Sequence, residues 1–377
     1  MDLITHLLDA AEARSVDVSS TIADIGFDAV ADVLFQEVLF RARLDEVACR
    51  GLAVTVLVLE HRGRTAELTI PAGETASDVP PVVITQDAGE TVRALYGPRE
   101  LVSSSTRTVS WPGSQVVRRE WEGTPLPDRW AAPPQRVLDV LDRRDRPGLD
   151  RLAAYCGTDK WGPLHQYAVR YEQYLHRLRD QRLTILEIGV GGYDDPKAGG
   201  ESLRMWKHYF PRALVCGVDV VDKRAVEEPR VLTVQADQSD RRALEAVVER
   251  IGPPDVVVDD GSHVSTDVIA SFDILFPLLR HGGLYFVEDL QTSLWPFMFN
   301  GSEDDLTRPD HTFGFLKRLV DGLHHEEFLT GARPPSPTDR TVAAVHLFHN
   351  LAVVEKGTNA DGSPVADALR SGMFETG

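Results

Sequence analysis

The sequence has few cysteines, an excess of acidic over basic residues and no long apolar run, and each of these features excludes a class of protein. Its three cysteines, Cys49, Cys156 and Cys216, are an odd number at wide spacings, which favours neither a disulfide framework nor a zinc site. No apolar run approaches the ~18 residues of a membrane span, and the first residues lack the basic flank and apolar core of a signal peptide. We therefore expect a soluble protein of the reducing cytoplasm.

The charge balance limits the classes of molecule that the protein is expected to bind. The formal net charge is −18, because 58 acidic residues outnumber 40 basic ones. Nucleic acids and anionic membranes bind clustered lysine and arginine, so this balance argues against both. A chain of 377 residues, 42% of them hydrophobic, exceeds one typical domain and can bury a full core. Two domains and small neutral or cationic ligands are expected.

Proline marks the predicted domain boundary. Before it, a helical amphipathic stretch runs through about Ala48, and two strands flank the turn at residues 61–64, which indicates an α+β module. Four prolines fall between residues 125 and 134, where they interrupt both helices and strand pairing. We predict an amino-terminal auxiliary domain over residues 1–130 and a carboxy-terminal catalytic domain over residues 131–377.

After residue 181, apolar strands alternate with helices. Five buried strands are predicted at residues 184–188, 213–218, 231–236, 255–258 and 283–287, as in a doubly wound parallel sheet. Two more, at residues 341–348 and 351–355, are joined by only two residues and must pair antiparallel. Five parallel strands closed by such a hairpin are the outline of a Rossmann-like α/β fold, that of the class I S-adenosylmethionine-dependent methyltransferases.

Polar residues and glycines follow the first three of these strands. They are Glu187, Gly189 and Gly191 after the first strand, Asp219 after the second, and Asp237 and Gln238 after the third. Glycines let a ligand approach the backbone, and an acidic residue after the second strand can accept hydrogen bonds from ribose hydroxyls. Tight turns and helix caps explain each feature singly. Three polar strand ends in register favour a nucleoside-like cofactor, and S-adenosylmethionine suits them, with Glu187 near its sulfonium and amino end.

The connection after the first strand is unusually long. Long loops inside compact sheets are usually functional, so the loop at residues 193–202 is predicted to form a lid or a clamp over the cofactor, with a solvated insertion as the alternative. An NAD-binding turn is the competing interpretation of the glycines. It would place a third glycine at position 194, where this chain has Asp194.

The fourth and fifth strands end in carboxylates. Asp259 and Asp260 follow one strand, Glu288 and Asp289 follow the other, and parallel strands bring both pairs to one sheet edge. Oxygen ligands select Mg²⁺, Ca²⁺ or Mn²⁺ over zinc. Methyl transfer from a sulfonium needs no metal, so a cation would act on the acceptor, lowering the pKa of a hydroxyl for removal of its proton by His263. The alternative interpretation is two capping aspartates, two solvated loop charges and a surface histidine.

Large apolar residues follow the second acidic pair, at residues 294–299. This segment is either core packing or the wall of a pocket for a bulky, partly apolar acceptor. We take Gln291, Thr292 and Trp295 as candidate substrate contacts, together with Tyr193 of the long loop.

Several stretches resemble the sugar O-methyltransferases of macrolide antibiotic biosynthesis. The matching motifs are GTDKWG (157–162), LEIGVGGYDDP (186–196), GESLRMW (200–206), DQSD (237–240), DDGSH (259–263), EDLQTS (288–293) and VVEKG (353–357). The match covers roughly residues 150–357, whereas residues 1–130 match only in length and general pattern.

This resemblance implies S-adenosylmethionine and Mg²⁺ as cofactors. It implies that Asp260, Glu288 and Asp289 hold the cation and that His263 is the general base, which leaves Asp259 a supporting or capping residue. Thr158 and Ser202, both inside matched motifs, complete the expected cofactor contacts.

The resemblance also implies a homotetramer in which the amino-terminal domain helps to complete a neighbour's site. The expected activity is methylation of a deoxysugar hydroxyl on a glycosylated polyketide, in the first place a macrolide, and the sugar and its hydroxyl stay open. Two alternatives remain: an NAD-dependent sugar oxidoreductase and a non-catalytic binding protein of the same fold.

Overall fold

The computed structural model describes residues 2–47, 54–70, 80–123, 131–331 and 333–372. Contacts divide the chain into two compact units: Met1–Leu152 with Glu172–Gln181 and His208–Arg212, and Ala153–Tyr171 with Arg182–Lys207 and Ala213–Gly377. Cys49, the helix end expected near Ala48 and the middle of the predicted linker lie outside the described residues. The boundary expected after residue 130 stays a prediction.

Helices and a small sheet form the amino-terminal region. The helices are α1 (Asp2–Ala11), α2 (Val18–Ile25), α3 (Phe27–Ala42), α4 (Ala88–Tyr96), α5 (Gly113–Trp121) and α6 (Ala132–Leu141). The single helical stretch expected at the start is thus three helices. Asp17 caps α2 through the backbone N–H of Ser19, and Gly26, with φ of 105°, separates α2 from α3.

The amino-terminal sheet has four strands in the order β2-β1-β3-β4. They are β1 (Thr55–His61), β2 (Arg64–Ile70), β3 (Val82–Asp87) and β4 (Thr108–Ser110). The predicted hairpin is confirmed: β1 and β2 pair antiparallel, and Arg62 and Gly63 form the turn with φ of 48° and 79°. Two left-handed residues are what a two-residue hairpin turn requires.

Seven strands form the larger sheet, in the order β10-β11-β9-β8-β5-β6-β7. They are β5 (Thr184–Ile188), β6 (Leu214–Asp219), β7 (Val231–Gln235), β8 (Val256–Asp259), β9 (Leu284–Val287), β10 (Val342–Phe348) and β11 (Leu351–Lys356). The remaining helices are α7 (Leu149–Cys156), α8 (Ala168–Leu175), α9 (Glu201–Tyr209), α10 (Arg241–Ile251), α11 (Ser265–Leu275), α12 (Pro296–Phe299), α13 (Thr312–Gly322) and α14 (Pro364–Arg370).

The sheet has the predicted topology. Strands β5 to β9 run parallel, and the β10–β11 hairpin closes one edge antiparallel. All residues of β5, β8 and β9 are buried, which explains their near-continuous apolar sequences. No helix in the described part of the chain combines the length and apolar character needed to cross a bilayer.

The strand order reverses beside β5, which pairs with β6 on one side and β8 on the other. Open α/β sheets bind their ligands in the crevice at such a switch point, outside the carboxyl ends of the strands. The glycine turn after β5 and the Asp-Asp-Gly-Ser-His loop after β8 flank this crevice. The fold therefore brings together the two motifs that the sequence suggested were functional.

Glu90, in the first turn of α4, ties a neighbouring loop to this helix. Its carboxylate accepts hydrogen bonds from the backbone N–H groups of Ser105, at 2.8 Å, and Thr106, at 3.1 Å, and from both hydroxyls. Burial raises the pKa of Glu90, but hydrogen bonds from Ser103, Thr106 and Ser105 outweigh it and lower the pKa to about 2. The ionised form is therefore the one that the fold stabilises.

Replacing Glu90 by glutamine should destabilise the protein by about 1–3 kcal/mol near neutral pH, because the amide has one acceptor oxygen for donors that now use two. The folded pKa lies below the ordinary value, so the carboxylate's contribution is full above the unfolded pKa and is lost as the pH falls towards about 2. Urea unfolding at about pH 7 and about pH 3 measures the difference. A gap between wild type and variant that does not narrow at the lower pH would contradict this account.

Candidate active site

A cavity of about 590 Å³ opens at the carboxyl ends of β5, β6 and β8. This volume falls in the range of small-molecule sites. The predicted cofactor residues that line it are Thr158, Gly189, Gly191, Ser202, Asp219 and Gln238. The sheet edge thus places most of the predicted cofactor residues around one space.

Glycine is required where the turn after β5 passes the loop after β8. Gly189 has φ of 89°, a conformation that residues with a Cβ rarely adopt. A Cβ at Gly189 would lie only 2.1 Å from the carbonyl oxygen of Asp260. The cofactor turn and the loop carrying Asp260 therefore pack backbone to backbone.

The long loop after β5 is held by a buried lysine. Lys223 donates from Nζ to the carbonyl oxygens of Tyr193, at 2.7 Å, Asp195, at 2.8 Å, and Ala198, at 3.3 Å. Each of these bonds fixes the loop backbone rather than a side chain. The contacts support the clamp interpretation of this loop over that of a hinged lid.

Two of the predicted cofactor residues are held in place by backbone amides. Asp219 accepts hydrogen bonds on both carboxylate oxygens, from Val190 N at 3.0 Å and from Val221 N at 2.9 Å. The buried Gln238 accepts one from Ser262 N at 2.7 Å. Both side chains line the cavity. Their positions suit contacts to the ribose and the base of a nucleoside.

Two other predicted cofactor residues, Asp237 and Glu187, are not among the described residues that line the cavity. Asp237 is exposed and accepts hydrogen bonds from the N–H and hydroxyl of Ser239, at 2.8 and 2.7 Å. Glu187 is fully buried and accepts from Ser202 Oγ and Trp206 Nε1, both at 2.9 Å. Burial raises the pKa of Glu187 to about 7. A direct cofactor contact by either residue stays a prediction.

Asp260, His263 and Asp289 meet at the cavity wall. One possible ligand atom from each lies within 4.8 Å of the others. His263 Nε2 is 3.4 Å from Asp289 Oδ2. Burial raises the pKa of Asp289, but the hydrogen bond from Gln291 and the nearby His263 outweigh it and hold the pKa below its ordinary value. Asp289 is therefore anionic.

The backbone is left-handed at both His263, with φ of 58°, and Asp289, with φ of 51°. Each such residue costs about 1–3 kcal/mol, and they cluster at functional sites. The hydroxyl of Thr292 lies 2.7 Å from the carbonyl oxygen of Asp289 and 3.1 Å from that of His263. Thr292, a predicted substrate contact, is buried here and braces these two turns.

Glu288 is turned towards a buried lysine. Its Oε1 accepts hydrogen bonds from Lys160 Nζ, at 2.7 Å, and from the hydroxyl of Tyr171. The same Nζ lies 2.7 Å from Asp260 Oδ2 and 3.3 Å from Glu187 Oε1. Burial raises the pKa of Glu288 well above its ordinary value, and the charge of Asp260 adds to the effect. Its role as a metal ligand stays a prediction.

The other predicted substrate residues differ in exposure. Tyr193 is 95% exposed at the cavity, and Trp295 is 46% exposed. Gln291 donates from Nε2 to Asp289 Oδ1 at 3.0 Å, so it supports a site carboxylate. Their contact with an acceptor molecule stays a prediction.

Sequence reasoning missed the side chains that surround these carboxylates. Besides Lys160 and Tyr171, Tyr167 donates its hydroxyl to Asp289 Oδ1 at 2.8 Å, and His165 Nε2 lies 3.5 Å from the same oxygen. All four precede β5 in the chain. The available clues were the lysine of the matched GTDKWG motif and two tyrosines four residues apart.

The residues present fit both predicted cofactors. Asp260 Oδ1 accepts no hydrogen bond from the described residues, although Oδ2 is bound by Lys160. A free carboxylate oxygen beside anionic Asp289 suits Mg²⁺, which prefers one or two carboxylates and otherwise oxygen ligands. The glycine turn, Asp219 and Gln238 suit the nucleoside part of S-adenosylmethionine.

Known proteins match along nearly the whole chain. A family model described as MycE methyltransferase N-terminal matches residues 4–107. The 8-demethyl-8-alpha-L-rhamnosyl tetracenomycin-C 2'-O-methyltransferase of Streptomyces olivaceus is 46% identical over 94% of this chain and 94% of its own length. Demethylmacrocin O-methyltransferase of Streptomyces fradiae is 37% identical over 96% of this chain and 92% of its own.

Solved structures agree with these relatives. MycE methyltransferase from the mycinamycin biosynthetic pathway, in complex with Mg, SAH and mycinamycin VI, matches with a TM-score of 0.82 at 30% identity, covering 97% of this chain and 95% of that chain. These matches set aside the oxidoreductase and the non-catalytic alternatives. The chain belongs to the family of S-adenosylmethionine-dependent sugar O-methyltransferases of polyketide antibiotic biosynthesis.

Proposed function

We propose that this protein transfers a methyl group from S-adenosylmethionine to the 2-hydroxyl of a 6-deoxyhexose carried by a polyketide, with Mg²⁺ bound beside the acceptor. The relative named as a rhamnosyl 2'-O-methyltransferase is 46% identical, whereas the 3'-O-methyltransferase of the same organism is 36% identical. The relatives act on both tetracenomycin and macrolide compounds by name. The motifs favour a macrolide aglycone, and an acceptor panel should therefore contain both a macrolide and a tetracenomycin.

The observation that carries the proposal is the shared wall between the two halves of the site. The turn of Gly189 packs directly on the carbonyl of Asp260, and His263 and Asp289 line the same cavity as the cofactor residues. Methyl transfer requires donor and acceptor atoms to be held in contact and in line. A cavity with cofactor residues on one side and a carboxylate pair on the other supports that geometry.

The side chains around the cavity divide the proposed reaction into metal binding, proton removal and substrate contact. S-adenosylmethionine would supply the electrophilic methyl group. Asp260 and Asp289 would hold Mg²⁺, whose charge would lower the pKa of an acceptor hydroxyl bound beside it. His263 faces the cavity, and Asp289 orients its imidazole from 3.4 Å. A neutral imidazole in that position can accept the hydroxyl proton as general base. Tyr193 and Trp295 offer exposed aromatic surface to the apolar parts of the sugar and aglycone.

An acceptor panel tests the reaction. It contains a rhamnosylated tetracenomycin and a rhamnosylated macrolide, each with free 2- and 3-hydroxyls, incubated with S-adenosylmethionine and MgCl₂. We expect a single methyl group on the 2-hydroxyl, located by NMR, and loss of turnover in excess EDTA that added Mg²⁺ restores. Methylation at the 3-hydroxyl alone would refute the proposed position. Full turnover in EDTA would refute the metal role.

If His263 is the general base, its replacement should reduce turnover without changing cofactor binding. Replacing His263 by alanine should lower kcat by about 10²–10⁴-fold, the usual contribution of general base catalysis, while calorimetry finds unchanged binding of S-adenosylhomocysteine. The exposed His281 of the same unit is the matched control, and its alanine variant should retain full activity. Near wild-type turnover in the His263 variant would remove this residue from the mechanism.

We also propose a cytoplasmic homotetramer. The amino-terminal family match over residues 4–107 supports the oligomer that the motifs implied, and three cysteines at wide spacings suit a reducing compartment. Light scattering on the purified protein should give the mass of four 41.7-kDa chains. A monomer at micromolar concentration would contradict this assembly.

A further inference from the structure

Lys160 is a buried cation surrounded by three carboxylates. The residue is 1% exposed, and its Nζ lies 2.7 Å from Asp260 Oδ2, 2.7 Å from Glu288 Oε1 and 3.3 Å from Glu187 Oε1. The ammonium donates hydrogen bonds to Asp260 and Glu288, and its contact with Glu187 is an ion pair. Removing one partner of a buried ion pair leaves an uncompensated charge, which is strongly destabilising.

Lys160 contacts Asp260 from a buried position. Asp260 lines the cavity and its side chain is 24% exposed, whereas Lys160 is not among the described residues that line it. The lysine binds Oδ2 and leaves Oδ1 without a hydrogen bond from the described residues. The contact thus fixes the rotation of this carboxylate with one oxygen free for a cation.

The same lysine connects the two halves of the site. Glu187, its third partner, accepts hydrogen bonds from Ser202, which lines the cavity among the cofactor residues. The residues just before it, Gly157 to Asp159, line the cavity as well. One ammonium therefore joins Glu187 on the cofactor side to Asp260 and Glu288 on the acceptor side.

We propose that Lys160 is a positioning residue that orients Asp260 for the divalent cation and ties this carboxylate, through Glu288 and Glu187, to the cofactor side of the site. The inference rests on the proposed function, because it assumes that the cation binds beside Asp260. Residues that orient metal ligands typically change metal affinity by about 10–100-fold when they are replaced.

If Lys160 acted only through its positive charge, the predicted effect on metal affinity would be the opposite. A cation next to the carboxylates repels a second cation, so a lysine that only balances charge would weaken metal binding, and its removal would strengthen it. A lysine that orients the carboxylates strengthens metal binding, and its removal weakens it. The direction of the change in metal affinity therefore separates the two roles.

The experiment measures Mn²⁺ binding by EPR and S-adenosylhomocysteine binding by calorimetry on the full chain, for wild type, Lys160→Met and Lys160→Arg. We expect Mn²⁺ affinity to fall by about 10–100-fold in both variants, because arginine keeps the charge but presents it through a planar fork. S-adenosylhomocysteine affinity should fall in Lys160→Met, since Glu187 loses its cation. Wild-type or tighter Mn²⁺ binding in either folded variant overturns the positioning role, and unchanged S-adenosylhomocysteine binding overturns the tie to the cofactor side.

Two further variants complete the design. Lys207 is also buried, 2% exposed, and pairs with Glu228 at 3.1 Å away from the cavity lining, so Lys207→Met controls for the loss of a buried lysine and should leave both affinities unchanged. Asp260→Asn tests the metal site itself. If Asp260→Asn binds Mn²⁺ like wild type, the proposed metal site is wrong and the inference fails with it. If Asp260→Asn loses Mn²⁺ while Lys160→Met and Lys160→Arg retain it, only the role of Lys160 is wrong.

Discussion

Mutual repulsion among four carboxylates is the constraint on which this site depends. Glu187, Asp260, Glu288 and Asp289 lie at one edge of one sheet, and like charges at such spacing force protons onto some of them unless cations and hydroxyls compensate. Lys160 forms ion pairs with three of the four, and the hydroxyls of two tyrosines donate hydrogen bonds to Glu288 and Asp289. Burial is the main cause of the raised pKa of Glu187 and of Glu288, and the charge of Asp260 adds to it, whereas hydrogen bonds and the nearby His263 lower the pKa of Asp289 despite its burial. Asp289, the carboxylate with the lowered pKa, is one that lines the cavity.

The parallel sheet explains why these groups meet at all. Strands β5, β8 and β9 end at the same edge, and the order reverses between β5 and its neighbours, so a crevice forms without any special packing. What the sheet leaves undetermined is the direction of each side chain beyond the strand end. Left-handed backbone at His263 and Asp289, braced by Thr292, supplies that direction at a cost in strain.

Sequence reasoning predicted the sheet, its closing hairpin and cavity-lining residues such as Gly189, Asp219 and Asp260, because strand ends follow from apolar runs and turn residues that are local in the chain. It could not predict the partners of Glu187 and Glu288, since Lys160 and Tyr171 precede β5 and reach the carboxylates only through the fold. Nor could it predict the partners of Thr292 and Gln291, whose predicted contact with substrate stays a prediction. Their hydrogen bonds go to the site's own backbone and to Asp289. Burial and partner choice are properties of the packed structure, and no spacing rule encodes them.

The two halves of the site differ in what shapes them, and this difference bears on specificity. The cofactor half is shaped by backbone: a Cβ at Gly189 would strike Asp260, and Lys223 binds loop carbonyls rather than side chains. The acceptor half is shaped by side chains, most of which already hold one another in place around Asp260, Glu288 and Asp289. Relatives are named for methylation at 2', 2'' and 3' hydroxyls of different sugars. On the proposed function, we infer that the choice of hydroxyl involves groups that are not engaged in holding the site, such as the exposed rings of Tyr193 and Trp295. Substitution there can alter how the sugar is presented while the buried charges, and the chemistry that depends on them, stay as they are.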